Sequence, residues 1–113
     1  MRTCVRMSSD GSPYYRFKRA LATGNLNLIR AAAAELPWIG LSDALEICLL
    51  LRDQPDERYE RAAVRWLGRF ALEARSVTID ALELAAAALQ ALPVQPEISM
   101  ETLSRLCVEH HAP

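Results

Sequence analysis

The sequence predicts an all-α protein of about six helices, arranged as stacked antiparallel α-hairpins or an irregular helical bundle. Apolar residues recur at the three-to-four-residue spacing of a helix in one segment after another. Helix-starting Ser, Thr, Asn and Pro and helix-stopping Gly and Pro punctuate the chain between those segments. Composition agrees: 51% of the 113 residues are hydrophobic but only 6% aromatic, so helices that pack closely on alanine are favoured. A chain of this length fits one domain, expected over 13–108, with a mobile tail at 1–12 and a frayed tail at 109–113.

Each element has a local reason. Ser12-Pro13 supplies an N-cap followed by proline at the first helical position, and Gly24 a stop, which predicts a helix over 13–23 with Tyr14, Phe17 and Leu21 inward. Asn25 caps a second helix ending before Pro37, with Leu28, Ile29, Ala32, Ala33 and Leu36 as its inner stripe. Ser42 is expected to cap a third, running to about Arg52. Its Leu45, Ile47, Cys48 and Leu49 to Leu51 point in almost every direction, which suits a central position. Pro55 is expected to open a fourth helix over 55–74, with Asp53, Asp56 and Glu57 around its electropositive N-terminus. Thr78 caps a fifth, alanine-rich and also expected to be central, which ends at Pro93. Pro96 or Ser99 opens a sixth, with Met100, Leu103, Leu106 and Cys107 inward. One short echo, Asp43-Ala44-Leu45-Glu46 against Asp80-Ala81-Leu82-Glu83, has the spacing of helical-hairpin repeats.

The charges nearly cancel, 13 basic against 14 acidic, so no overall field draws the protein to nucleic acid or membrane. They are nevertheless blocked: residues 1–34 and 58–75 are basic, 35–57 and 76–113 acidic. Such alternation suits charge-matched packing of helices or of subunits. Cys4, Cys48 and Cys107 are odd in number and widely spaced, which argues for reduced thiols and, with no apolar leader near the N-terminus, a cytoplasmic location. The longest charge-free run, Leu84 to Pro96, is too short for a membrane span, which needs about 20 apolar residues. No membrane contact, metal or cofactor is expected.

The fourth helix carries the chemistry worth following. At 100° per residue Arg58, Arg61, Arg65 and Arg69 form one stripe, opposite Tyr59, Ala63, Trp66, Leu67, Phe70 and Ala74. Glu57 can serve Arg61 and Glu73 can serve Arg69, which leaves Arg58 and Arg65 to pair with Asp43, Glu46, Asp80 or Glu83, or to stand free. Arginine meets carboxylate or phosphate in a bidentate fork, so a free stripe would suit an acidic surface. Tyr15, Arg16, Lys18 and Arg19 make a second basic patch with interleaved aromatics. Trp38, between two helices, either covers the open end of a hairpin or anchors a partner. Cys107 and His110 stand at helical spacing, with His111 next, but a zinc site needs three or four ligands. The chain has no HExxH, GxSxG, P-loop or GxGxxG, and both histidines lie near the C-terminus, so no enzyme activity is expected.

Through RYERAAVRWLGRF, ALATGNL and CLLLRD the chain resembles small uncharacterised all-helical proteins of high-GC bacteria, over roughly residues 13–108. The resemblance brings no activity with it. The expected role is a non-catalytic protein-interaction or accessory module, homodimerisation included, that docks through the arginine face. The alternative is a nucleic-acid-associated regulator using the basic faces of helices 13–23 and 55–74.

Overall fold

The computed structural model describes residues 11–112. Among them are six α-helices and no strand: α1 (Pro13–Thr23), α2 (Leu26–Ala33), α3 (Leu41–Leu51), α4 (Arg58–Glu73), α5 (Ile79–Ala91) and α6 (Pro96–Glu109). No helix is long and apolar enough to cross a membrane. The chain divides into two compact units, Met1–Ile39 and Gly40–Pro113. The expected tail lies outside the described residues over 1–10, as does Cys4. The rest of that segment is engaged: Ser12 caps α1 through Tyr15 N–H at 2.9 Å, and Gly11 O accepts from Arg16.

The first unit is the α1–α2 hairpin. Its turn follows from two residues. Gly24 closes α1 at φ 72°, a left-handed conformation that costs glycine nothing. Asn25 then accepts from the backbone N–H of Asn27 and Leu28, satisfying two donors that the first turn of α2 leaves open. Phe17, Ala20, Leu21 and Ile29 are buried. The expected inner stripe of α2 is only partly realised, because Leu28 is exposed and the helix stops at Ala33, short of Leu36.

The second unit is a ring of four helices. α3 packs on α4 and α6, and α5 packs on the same two. Short connections between packed neighbours make consecutive helices antiparallel. The core draws on all four: Leu41, Leu45 and Cys48 from α3; Ala63, Trp66 and Phe70 from α4; Ala85 and Leu89 from α5; Leu103, Leu106 and Cys107 from α6. α3 is therefore a member of the ring rather than its centre, and Ile47, Leu49, Leu50 and Leu51 are only half-buried.

Three expected boundaries move. α3 begins at Leu41, which is fully buried, so Ser42 lies inside the helix, exposed, and caps nothing. α4 begins at Arg58 rather than Pro55, because Asp56 turns the chain at φ 66° and its carboxylate accepts the Arg58 N–H at 2.9 Å. Of the C-terminal segment expected to fray over 109–113, the described residues to Ala112 are tied down by backbone bonds. With His111 at φ 51°, Ala112 N–H reaches Cys107 O and His111 N–H reaches Val108 O, the paired bonds of a Schellman motif. The four-residue echo is not structurally equivalent either. Asp43 is the third residue of α3 and buried, whereas Asp80 is the second residue of α5 and exposed.

Candidate interaction surface

Helix α4 is fixed from its inner face. Trp66 and Phe70 stack at 5.3 Å, nearly parallel, and the indole N–H of Trp66 donates to Leu41 O at 2.9 Å. Tyr59 donates its hydroxyl to Leu89 O at 2.6 Å. In a regular helix that carbonyl would accept from the residue four positions on, which here is Pro93 and has no N–H. The phenol fills the vacancy, and its burial beside Cys48 and Glu60 raises its pKa well above the usual tyrosine range. At the other end, the Phe70 ring meets the edge of His110, whose Nδ1 lies 2.9 Å from Arg75 O. A carbonyl only accepts, so Nδ1 carries the proton. Arg75 N–H returns a bond to His110 O at 2.8 Å, clamping the α4–α5 connection to the end of α6.

With the inner face anchored, the arginines point outward and meet different fates. Arg69 and Glu73 form a two-pronged pair at 2.8 and 3.0 Å, and that hydrogen bond holds the Glu73 carboxyl below its usual pKa. Arg61 lies 3.8 Å from Glu57, both largely exposed. Arg58 pairs with Asp56 at 3.5 Å, not with Asp43, Glu46, Asp80 or Glu83. Its partner is two residues upstream because the Asp56 turn folds back over the helix start. Arg65 is exposed and has no carboxylate partner among the described residues. It flanks α3 closely enough to moderate the Cys48 thiol, which burial pushes up to about 11.

The stripe also contains an apolar residue that sequence reading passed over. Leu72 is 87% exposed. It lies seven residues beyond Arg65, so the two differ by about 20° around the helix axis. The signal was present in the periodicity, as one leucine standing in an arginine row.

The remaining candidates are more committed. Arg16 bridges Gly11 O and the Glu35 carboxylate, stapling α1 to the chain beyond α2. The Arg19 guanidinium sits 5.8 Å from the Tyr15 ring centroid, and the Lys18 ammonium 6.0 Å from that of Tyr14. Trp38 is 53% exposed.

Two of the surface grooves are lined by the described residues. One, of about 500 Å³ between α4 and α5, has Ala63, Leu67, Leu89 and Pro93 in its lining, with Glu60 and Gln90 as its free polar groups. The other, of about 420 Å³ between α1 and α2, is lined in part by Arg16, Arg19, Leu28 and Glu35. Neither brings together two uncommitted acid–base groups, since Tyr59 is bonded to Leu89 O and Arg16 to Glu35. Cys107 is buried with its pKa raised by desolvation, and His110 faces Arg75 O. Among the described residues no group of three or more His, Cys, Asp or Glu could hold a metal ion. Comparison with known protein families, with curated proteins and with solved structures finds no match to this chain.

Proposed function

We propose that this chain is a non-catalytic protein-interaction or accessory module that docks on an acidic protein surface through the outer face of α4. Arg65 and Leu72 form the centre of that contact, with Arg58, Arg61 and Arg69 around them. The observation that carries this reading is the pairing of an exposed arginine lacking a carboxylate with an almost fully exposed leucine on one narrow face. Arginine is enriched at the energetic centres of protein interfaces, and an exposed leucine two turns along the same face adds apolar area for a partner to bury. The neighbouring ion pair of Arg61 is exposed, and such pairs contribute about 0–1 kcal/mol, so a partner carboxylate can displace Glu57 at small cost.

Nucleic acid fits the face less well. Three of the four arginines already have carboxylates beside them, which a phosphate backbone would have to displace against their repulsion. The raised thiol pKa values of Cys48 and Cys107 support a non-catalytic role, because the thiolate is the nucleophile. A bacterial, cytoplasmic and reducing setting belongs to the same reading, and the free thiols of Cys48 and Cys107 support it.

The test is a tagged pull-down from nuclease-treated extract of the native host, run with the wild-type chain and with Arg65→Glu. Discrete proteins retained by the first and lost by the second are expected. Retained nucleic acid that washes off steeply with salt would favour the nucleic-acid reading, and an empty wild-type bait would sink both.

A further inference from the structure

We infer that the acidic surface met by the α4 face is carried by a second copy of this chain, on the outer face of its α5. The inference rests on the docking role proposed for α4 and names its partner. Asp80 and Glu83 are exposed and lie one helical turn apart near the start of α5. Neither has an ion pair among the described residues. Beside them Ile79 is 71% exposed. Like the α4 face, with the charge reversed, the patch combines two like charges a turn apart with an exposed aliphatic side chain on the same helix.

The spacings agree. Arg61 and Arg65 stand at i,i+4 and Asp80 and Glu83 at i,i+3, and both separations place the side chains about 5–6 Å apart at their bases. Two guanidinium–carboxylate contacts can therefore form side by side, each with the geometry that makes the arginine fork selective for carboxylate. Within one chain these groups do not meet. α4 and α5 are packed neighbours, yet Arg61 turns to Glu57 and Arg65 to no carboxylate, so Asp80 and Glu83 stay unmatched by the arginines of α4. A second copy supplies the match. Because two different patches meet, assembly follows either a two-fold dimer that exchanges both contacts or a head-to-tail chain.

The experiment is sedimentation of the full chain over a concentration series, at about 50 mM and about 500 mM salt, where charge contacts between exposed groups are weakly and strongly screened respectively. Two charge-reversed proteins are run beside it, Arg61→Glu/Arg65→Glu and Asp80→Arg/Glu83→Arg, each alone and mixed in equal amounts. Circular dichroism checks that they fold. The milder Arg65→Gln and Glu83→Gln take their place if they do not. Reversible, concentration-dependent association of the wild type that weakens severalfold in high salt is expected. Each reversed protein alone should remain a monomer, and the mixture should recover association. With the milder pair, each variant should associate severalfold more weakly than the wild type, and no weakening in either would overturn the inference. A wild type that stays monomeric at low salt overturns it, as does association unchanged in either reversed protein, or a mixture that fails to associate. A monomeric wild type that still retains an acidic protein in an Arg65-dependent way leaves the docking role intact and removes only the second copy.

Discussion

In the α1–α2 hairpin, polar groups hold the helix ends locally, whereas in the α3–α6 ring side chains of one element bond to the backbone of another. Both hairpin helices carry a side-chain N-cap, Ser12 and Asn25, and Arg16 adds a staple to Glu35. In the ring only α5 has a side-chain N-cap, while α3, α4 and α6 start without one. Trp66, Tyr59 and His110 act there instead, each joining one element to the main chain of another. The difference follows from core size. Two short helices bury few side chains and depend on local bonds worth about 1 kcal/mol each. Four helices enclose aromatics large enough to carry a donor into the interior.

The sharpest way to break the ring is Trp66→Ala. It removes a buried indole, its stack on Phe70 and its bond to Leu41 O, and should cost about 3–5 kcal/mol in denaturant unfolding. Alkaline pH comes next. The Cys48 thiol is held at about 11 in the folded chain against 9.0 for a free thiol, so the neutral form is favoured by folding. That stability is fully present below about pH 9 and is lost as the pH rises through 11, amounting to about 3 kcal/mol. Cys48→Ala should flatten the decline when the thermal midpoint is followed between those limits.

Tyr59→Phe should cost about 1–2 kcal/mol, because it leaves Leu89 O without a donor beside Pro93, and adding Pro93→Gln should recover part of it. In the hairpin, Asn25→Ala should cost about 1 kcal/mol and Arg16→Ala less than about 1, the latter vanishing in high salt. Hydrogen exchange of α2 amides would read both. A hairpin cap that costs as much as Trp66 would erase the distinction between the two units.

Several features of this architecture were legible because they depend only on neighbours in sequence. Ser12-Pro13, Gly24, Asn25 and Thr78 act within one turn of themselves, and each does so in the structure. Ser42 failed as a cap because burying Leu41 starts α3 two residues earlier than the local chemistry favours. Arg58 is expected to pair with Asp43, Glu46, Asp80 or Glu83 or to stand free, yet its partner lies across a turn whose left-handed residue is an aspartate and not a glycine. The candidate face was legible as a stripe but not as a site, since periodicity puts four arginines in a row without saying which carboxylates reach them.

Local sequence suffices to make the chain all-helical, to place most helix ends and to choose the apolar face of α4, because all three are set by contacts within a few residues. It also determined that Leu89 O would lack its helical donor, through Pro93. The tertiary structure alone decided that Tyr59 supplies that donor, that His110 clamps Arg75, and that Arg65 and Leu72 remain uncovered. Those outcomes join residues far apart in the chain, and only the packing of α3 to α6 sets the distances between them.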